Sequence, residues 1–119
     1  MLDPSAEIRK QIALLCRRGR SRRLALNVPC DWHPTTVFNE RTGMQYTDAE
    51  AFETIGDAIA NPLIEVTVVS LRQPPGQIAY EMLIPQRAGC APIYAKVQLG
   101  PGKVLGRSFH YSDYAEKSV

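Results

Sequence analysis

The segment of residues 93–113, IYAKVQLGPGKVLGRSFHYSD, determines both the predicted sheet and the candidate site. Apolar and polar residues alternate on either side of Gly100-Pro101-Gly102, which predicts two β-strands joined by a tight turn. The polar positions carry chemically distinct groups, and such a set can hold a phosphate. An ordinary solvated sheet face is the alternative. The polar residues are Tyr94, Lys96, Gln98, Arg107, Ser108, His110 and Tyr111.

The register of this hairpin depends on the length of its turn, and two registers are open. A two-residue turn at Pro101-Gly102 places Lys96 opposite Arg107. Two facing cations destabilise a sheet unless an anion lies between them. A three-residue turn, Gly100-Pro101-Gly102, shifts the parity of one strand relative to the other. In both registers Lys96 lies on the polar face.

We favour the three-residue turn, because it gathers six apolar side chains on one face of the hairpin. This register also places Arg107 on the apolar face. Arg107 must then extend to solvent or sit in a β-bulge and turn toward the polar face. In this register the polar face carries Tyr94, Lys96, Gln98, Gly106, Ser108 and His110, and the apolar face carries Ile93, Ala95, Val97, Leu99, Leu105 and Phe109.

Two helices are predicted before the strands. Residues 5–18 carry apolar side chains at three- and four-residue spacing, and they belong to a basic helix and arm over residues 1–23. The second helix is predicted over residues 47–61, where Thr47 and Glu50 have the spacing of a capping box.

The strands that follow predict the fold class. Residues 63–71 and 78–84 are predicted to be strands, because the first is rich in β-branched residues and both are bounded by turn residues. Four strands with short connections favour an antiparallel sheet over residues 63–111. We therefore predict one α+β domain over residues 1–119, with both helices packed on a sheet of four strands or slightly more.

The composition is that of a soluble globular protein. Of 119 residues 45% are hydrophobic and 22% are charged, and no apolar run approaches the ~20 residues that cross a bilayer. The N-terminal segment lacks the pattern of a signal peptide, so we expect a cytoplasmic protein. Cys16, Cys30 and Cys90 are widely spaced, which predicts free, semi-buried thiols and no metal or cofactor site.

Basic residues concentrate near the N-terminus. Seven of the 14 precede residue 24, although the net charge is only +2. A cluster of this density attracts a polyanion such as nucleic acid. The alternative is a solvated helix end, whose cations interact favourably with the helix dipole. The seven residues are Arg9, Lys10, Arg17, Arg18, Arg20, Arg22 and Arg23.

The two halves of the hairpin, IYAKVQL and VLGRSFH, resemble the C-terminal hairpin of small bacterial RNase toxins. The likeness is greatest to the motility quorum-sensing regulator (MqsR) family, in which Y-x-K-x-x-L, a turn and V-x-x-x-S-F recur. It extends to the RelE-like, or barnase–EndoU–colicin–RelE, superfamily and implies a RelE/MqsR-like two-layer fold. Residues 27–62, with Trp32, lie outside the detailed resemblance.

This resemblance implies metal-independent RNA cleavage by a bacterial toxin that an antitoxin protein restrains. In such cleavage a base helps the ribose 2′-OH attack the adjacent phosphorus, an acid protonates the 5′-oxygen, and cations stabilise the added charge. Histidine can give or accept a proton near neutral pH. The implied catalytic residues are Lys96, His110, Arg107, Tyr94 and Gln98, and the implied RNA-binding residues are Ser108, Tyr111, Arg17, Arg18, Arg20, Arg22 and Arg23.

Other classes of function remain open. A non-catalytic module could bind nucleic acid or protein with the same residues, and the net charge of +2 is low for a strong RNA binder. An immunity or antitoxin-like protein would instead bind another protein tightly. A lysine on an exposed strand can also serve only to protect a sheet edge. Loss of cleavage with retained affinity in a Lys96→Ala variant would distinguish the enzyme from a binding module.

Overall fold

Two α-helices form where capping residues precede an apolar stripe. Helix α1 spans Ala6–Arg17, and Ser5 Oγ accepts a hydrogen bond from the Ile8 amide at 3.2 Å. Helix α2 spans Asp48–Ala60 and begins at the predicted capping box. Both predicted helices are confirmed, and neither is long and apolar enough to cross a bilayer. The computed structural model describes residues 3–24, 31–71, 76–87 and 90–112.

The strands of the described residues are β1 (Arg22–Leu24), β2 (Asp31–Trp32), β3 (Phe38–Asn39), β4 (Met44–Gln45), β5 (Val66–Ser70), β6 (Ile78–Ile84), β7 (Ile93–Gly100) and β8 (Lys103–Tyr111). Strands β5 to β8 form an antiparallel meander in chain order, as predicted. Strands β1 and β2 both pair in parallel with the outer edge of β8, and β3 pairs with β4 as a separate hairpin. The molecule is therefore α+β, with a mostly antiparallel sheet.

The predicted bounds of the sheet need two corrections. Strand β5 begins at Val66 rather than at residue 63, because Asn61 accepts hydrogen bonds from the Leu63 and Ile64 amides and holds a turn there. The basic segment does not end in a separate arm, because its last residues form β1 and pair with β8. Two- and three-residue strands leave too short a pattern for sequence-based prediction.

One hydrophobic core joins both helices to one face of the sheet. The half-buried Trp32 packs against this core, with its ring 4.9 Å from Phe52 of α2 and 5.7 Å from Phe109 of β8. Aromatic pairs at such distances stabilise a core beyond the area they bury. The fully buried aliphatic side chains include Ile12, Ile55 and Ile59 from the helices and Val66, Val97 and Val104 from the strands.

Arg9 connects α1 to the C-terminal end of α2. Its Nε donates to the Ile59 carbonyl at 2.9 Å, and its Nη2 donates to the carbonyls of Asn61 and Ile64 at 2.8 Å each. The last carbonyls of a helix have no partner within the helix, so a guanidinium can satisfy several of them at once. One member of the basic cluster is thus part of the fold.

The hairpin of β7 and β8 combines features of both predicted registers. Its turn has two residues, since Gly100 pairs with Lys103, and the predicted three-residue turn is wrong. Beyond Val97 a bulge at Arg107 shifts the parity, so that Lys96 pairs with Ser108, which the favoured register had placed on the same face. A β-bulge was one of the two options that the sequence analysis gave for Arg107. This bulge, and not the turn, produces the shift in parity.

The bulge also changes which residues lie on each face. Leu105 pairs with Gln98 on the polar face, whereas Gly106 pairs with Val97 on the core face, the reverse of the prediction. The ring of Trp32 explains the placement of Gly106, because a Cβ there would lie 2.6 Å from Trp32 Cζ3. Only glycine lets the strand approach this ring so closely.

The cysteines differ in exposure. Cys16 is fully buried, further than the predicted semi-burial, but Cys90 is exposed because it lies in the connection between β6 and β7 rather than on an apolar face. Cys30 lies outside the described residues. Burial raises the pKa of the Cys16 thiol to about 12, although Arg22 and Arg17 act in the opposite direction.

This difference predicts how the thiols react. In a Cys30→Ser variant near neutral pH, a thiol reagent is expected to modify Cys90 rapidly and Cys16 only after unfolding, because the reactive thiolate is suppressed at Cys16. Counting modified thiols with time, with and without urea, checks this. Equally fast modification of both thiols in the folded protein would contradict it.

Candidate functional site

A row of polar side chains crosses the face of the sheet that lies opposite the core. Thr67, Glu81, Lys96, Ser108 and Asp31 are successive cross-strand partners on β5, β6, β7, β8 and β2. Directly facing residues in antiparallel strands have Cβ atoms about 5 Å apart, so each side chain lies beside the next. Lys96 occupies the middle of this row, and we call the row the polar row.

A second row runs beside it. Tyr94 pairs with Leu83 on one side and with His110 on the other, and the rings of Tyr94 and His110 lie 5.3 Å apart. The structure therefore brings Tyr94, Lys96, Ser108 and His110 together, as the favoured register predicted. We call the surface formed by Asp31, Glu81, Tyr94, Lys96, Gln98, Arg107, Ser108 and His110 the polar face.

Tyr94 is held in its neutral form. Burial raises the pKa of the Tyr94 phenol to about 12, and the negative charge of Glu81, a hydrogen bond to Glu81 and the charge of Asp31 raise it further in the same direction. Near neutral pH the phenol is a hydrogen-bond donor. It is a poor proton acceptor under these conditions.

A contact with the backbone shows which ring nitrogen of His110 carries the proton. Its Nδ1 lies 2.8 Å from the carbonyl oxygen of Tyr111, and a carbonyl can only accept a hydrogen bond. Nδ1 therefore carries the proton in this contact. In the neutral ring Nε2 is then the nitrogen that can accept a proton, and in the imidazolium it is the one that can donate.

Arg107 and Gln98 interact on the same face. Arg107 is only 5% exposed and its Nη1 donates to Gln98 Oε1 at 3.5 Å, so the bulge has turned the guanidinium toward the polar face. The Gln98 amide also donates to Gln77. The deeply buried guanidinium is thus placed beside an amide that can hold its orientation.

The other predicted binding residues do not form one surface with the polar face. The Tyr111 hydroxyl accepts a hydrogen bond from the Phe38 amide at 3.0 Å, and Tyr111 pairs with Ile93 of the core face. Arg17 pairs with Asp57 at 3.3 Å.

The two adjacent arginines of β1, Arg22 and Arg23, have different surroundings. Arg22 donates to the Cys16 carbonyl at 2.7 Å and lies over the Phe52 ring at 5.9 Å, so it is committed to the fold. Arg23 instead pairs with Leu105 on the side of the polar face, and its exposed side chain donates from Nη1 to the carbonyls of Arg20 and Arg22 at 2.7 Å each. Arg18 and Arg20 are exposed beyond the end of α1.

Sequence reasoning missed two carboxylates of the polar face. Glu81 has a sequence signal, because it alternates with the buried residues Tyr80 and Met82 and must therefore face away from the core. Asp31 has none, since only its parallel pairing with Ser108 brings it to this face. Within the described residues no group of three or more His, Cys, Asp and Glu side chains is placed to hold a metal ion.

Comparison of the chain with protein-family models, with curated proteins and with solved structures gives no match.

Proposed function

We propose that this protein is a toxin-like endoribonuclease of the RelE/MqsR-like type, which cleaves RNA on the polar face without a metal. The position of Lys96 is the observation that carries the proposal. It lies in the middle of the polar row, between the strand that holds Glu81 and the strand that holds Ser108 and His110. A cation flanked by groups that can transfer protons is what cleavage of a phosphodiester by its own 2′-OH requires.

The proton-transfer groups lie on opposite sides of the cation. When the 2′-oxygen attacks phosphorus in line, the 5′-oxygen leaves on the far side, so base and acid must approach from opposite directions. Strands β6 and β8 flank β7 at about 4.8 Å each, and His110 lies two residues beyond the partner of Lys96, so Glu81 and His110 approach from opposite sides of β7 and diagonally to each other. In the proposed reaction Glu81 takes the proton of the 2′-OH, and His110 Nε2 gives a proton to the 5′-oxygen.

The remaining groups bind and orient the phosphate. Lys96 and Arg107 stabilise the negative charge that develops on the non-bridging oxygens. The neutral Tyr94 phenol donates a hydrogen bond, and Gln98 positions the Arg107 guanidinium. Arg23, exposed beyond Leu105, extends the surface for the RNA backbone. The products are a 2′,3′-cyclic phosphate and a 5′-hydroxyl.

The resemblance of the hairpin to bacterial RNase toxins supports the rest of the proposal. An antitoxin protein as partner and a bacterial source follow from that resemblance alone. The rival function is a module on the same fold that binds RNA without cleaving it. The two carboxylates of the polar row, Glu81 beside Lys96 and Asp31 beyond Ser108, favour the enzyme, because they weaken the attraction of an anion without helping a purely electrostatic binder.

Product analysis tests the proposal. Wild-type protein, incubated with single-stranded RNA and excess EDTA near neutral pH, is expected to yield fragments with 2′,3′-cyclic phosphate and 5′-hydroxyl ends. Glu81→Gln is expected to lower the cleavage rate about 100-fold, because general base catalysis contributes at least that much. Mass spectrometry of the fragments and gel-based rates provide the measurements.

Thr67→Val is the matched control, since Thr67 lies in the same row next to Glu81 but has no group that transfers a proton at neutral pH. This variant is expected to cleave at nearly the wild-type rate. RNA that is bound but stays intact in EDTA would establish the binding module instead. Cleavage that requires added Mg²⁺ would contradict the metal-independent reaction.

A further inference from the structure

A groove lies between α1 and the C-terminal end of α2, and we call it the helix groove. Its volume is about 620 Å³, and within the described part of the chain none of its lining residues belongs to the sheet. Ala13 and Ile59 are the buried part of its lining, and Ala60 and Pro62 line it at the end of α2. A groove of this volume has room for several side chains of a partner.

Leu14 leaves a large apolar side chain exposed in the lining of the helix groove. It is 51% exposed, although its neighbours in α1, Ala13 and Leu15, are buried. A single exposed leucine is ordinary on a protein surface. Here, however, it lines the same groove as Ala13, Ile59 and Pro62, so the apolar area extends from one helix to the other. A partner that fills the groove would remove this area from water.

Basic side chains border the helix groove. Among the described residues Arg9, Lys10 and Arg17 line it, and no carboxylate does. Arg9 already donates to carbonyls at the end of α2. Lys10 and Arg17 are exposed, and their aliphatic stems can lie along the groove while their charges reach its rim. The groove therefore combines an apolar lining with positive charge at its edge.

Both exposed cations can bind a further carboxylate. Lys10 makes no ion pair within the described residues. Arg17 donates from Nη2 to Asp57 at 3.3 Å, but both side chains are exposed, and such a pair is worth little. A guanidinium also has further N–H donors, so it can hold a second acceptor. Glu7, one turn before Lys10, is exposed and does not line the groove. An anionic partner is thus attracted to the rim.

The spacing along α1 fits a helical partner. Lys10 and Arg17 are seven residues apart, which is about 10 Å along the helix axis, and Leu14 lies between them on the same side. A helix laid along the groove has side chains at the same spacing. Carboxylates seven residues apart with apolar residues between them would therefore match all three side chains. Amphipathic helices bind apolar grooves in this way.

We propose that the helix groove binds an acidic amphipathic helix of a partner protein. Its carboxylates pair with Lys10 and Arg17, and its apolar side chains cover Leu14 and fill the space above Ala13 and Ile59. An RNA backbone would satisfy the cations but would leave the apolar lining uncovered. The proposal goes beyond RNA cleavage and does not depend on it, because the groove shares no residue with the polar face.

A second copy of the chain is a poorer occupant. Its acidic helix face is on α2, where Glu53 pairs with Arg22 at 3.9 Å and Asp57 pairs with Arg17 at 3.3 Å. The exposed large apolar side chains of the described residues all lie outside α2, so this face has nothing to fill the groove. The observations therefore favour a helix from another protein.

Selection from a library of displayed helical peptides tests the proposal. Peptides of about 15 residues, which is about the length at which an isolated helix begins to form, are selected for binding to the full chain. Enriched peptides are expected to carry Asp or Glu at two positions seven residues apart, with large apolar residues about one turn from each. Enrichment of peptides without this pattern, or of none that binds the folded chain in a saturable way, would overturn the proposal.

Variants of the chain assign the contacts of one enriched peptide. Its Kd is measured by fluorescence anisotropy. Leu14→Ala is expected to weaken binding about tenfold, and Lys10→Gln severalfold at low salt and less at high salt. Met44→Ala and Lys103→Gln are the matched controls, because they change an exposed apolar residue and an exposed lysine that do not line the groove. Unchanged affinity in Leu14→Ala or in Lys10→Gln would overturn the assignment.

Competition distinguishes the other occupants. Single-stranded RNA that displaces the labelled peptide as well as unlabelled peptide does would identify a site for polyanions and contradict the proposal. Light scattering of the chain alone, at increasing concentration, is expected to show no dimer that depends on Leu14. A dimer that Leu14→Ala dissociates would identify a second copy as the occupant and also contradict it. RNA cleavage is measured separately on Leu14→Ala, so that failure of the groove and failure of the polar face are distinguishable.

Discussion

Lys96→Ala is expected to lower the rate of RNA cleavage by about 100-fold or more, because one preorganised group that stabilises developing charge contributes about that much. No other lysine lies in the polar row, and its facing partners are an acid, Glu81, and a hydroxyl, Ser108. The residues that face it directly therefore offer no cation that could replace it, which leaves Arg107 as the other charge-stabilising group of the proposed site.

The variant is expected to fold. Lys96 is half-buried and, within the described residues, makes no ion pair, so its removal leaves no buried carboxylate that has lost a specific partner. The affinity for RNA is expected to fall only severalfold, since one phosphate contact among several is lost. Cleavage rate and Kd on the same RNA, with the thermal midpoint of unfolding, form the measurement.

Lys103→Ala is the matched control, because it removes a lysine of the same hairpin that is exposed at the turn. It is expected to cleave at nearly the wild-type rate. In bacteria, induction of the wild type and of Lys103→Ala should arrest growth with loss of RNA, whereas Lys96→Ala should not. Wild-type protein that accumulates in soluble form without arresting growth would favour the binding module. A Lys96→Ala variant that cleaves normally would refute the proposed site.

Gly106→Ala is expected to destabilise the fold by about 2–3 kcal/mol, which is the cost of overpacking a well-ordered core. An added Cβ would lie 2.6 to 2.9 Å from three atoms of the Trp32 ring. The ring cannot move away easily, because it lies between Phe52 and Phe109 and its Nε1 donates to Asp48 at 3.0 Å. Either the ring or β8 must shift, and both movements disturb the bulge that positions Arg107.

Urea unfolding followed by the fluorescence of Trp32, the only tryptophan, measures this effect. Gly19→Ala is the matched control, because a Cβ there meets nothing within 4 Å. The loss at Gly106 should become smaller in a Trp32→Leu background, in which the ring is absent. Equal stability of Gly106→Ala and Gly19→Ala would show that the ring adapts without cost.

Local patterns were sufficient for most of the regular structure. The helices begin at Ser5 and Thr47 because these side chains cap them, and the strands of the meander follow from alternation of burial. These features depend on residues a few positions apart, which a sequence displays directly. The predicted grouping of Tyr94, Lys96, Ser108 and His110 followed in the same way from the parity of two adjacent strands.

The remaining features depend on contacts between distant parts of the chain. The shift in parity of the last hairpin was predicted to come from a three-residue turn. In the structure it comes from the bulge at Arg107, next to Gly106, where the ring of Trp32 packs against the strand. Asp31 reaches the polar face only because β2 pairs with β8, across more than 70 residues of chain. Short parallel strands carry no periodic signal, and neither does the groove between α1 and α2. The sequence by itself thus determined the elements and the chemistry available on β7 and β8. The tertiary structure alone decided which carboxylates, arginines and rings lie beside Lys96, because those neighbours come from separate strands that only the packed core holds together.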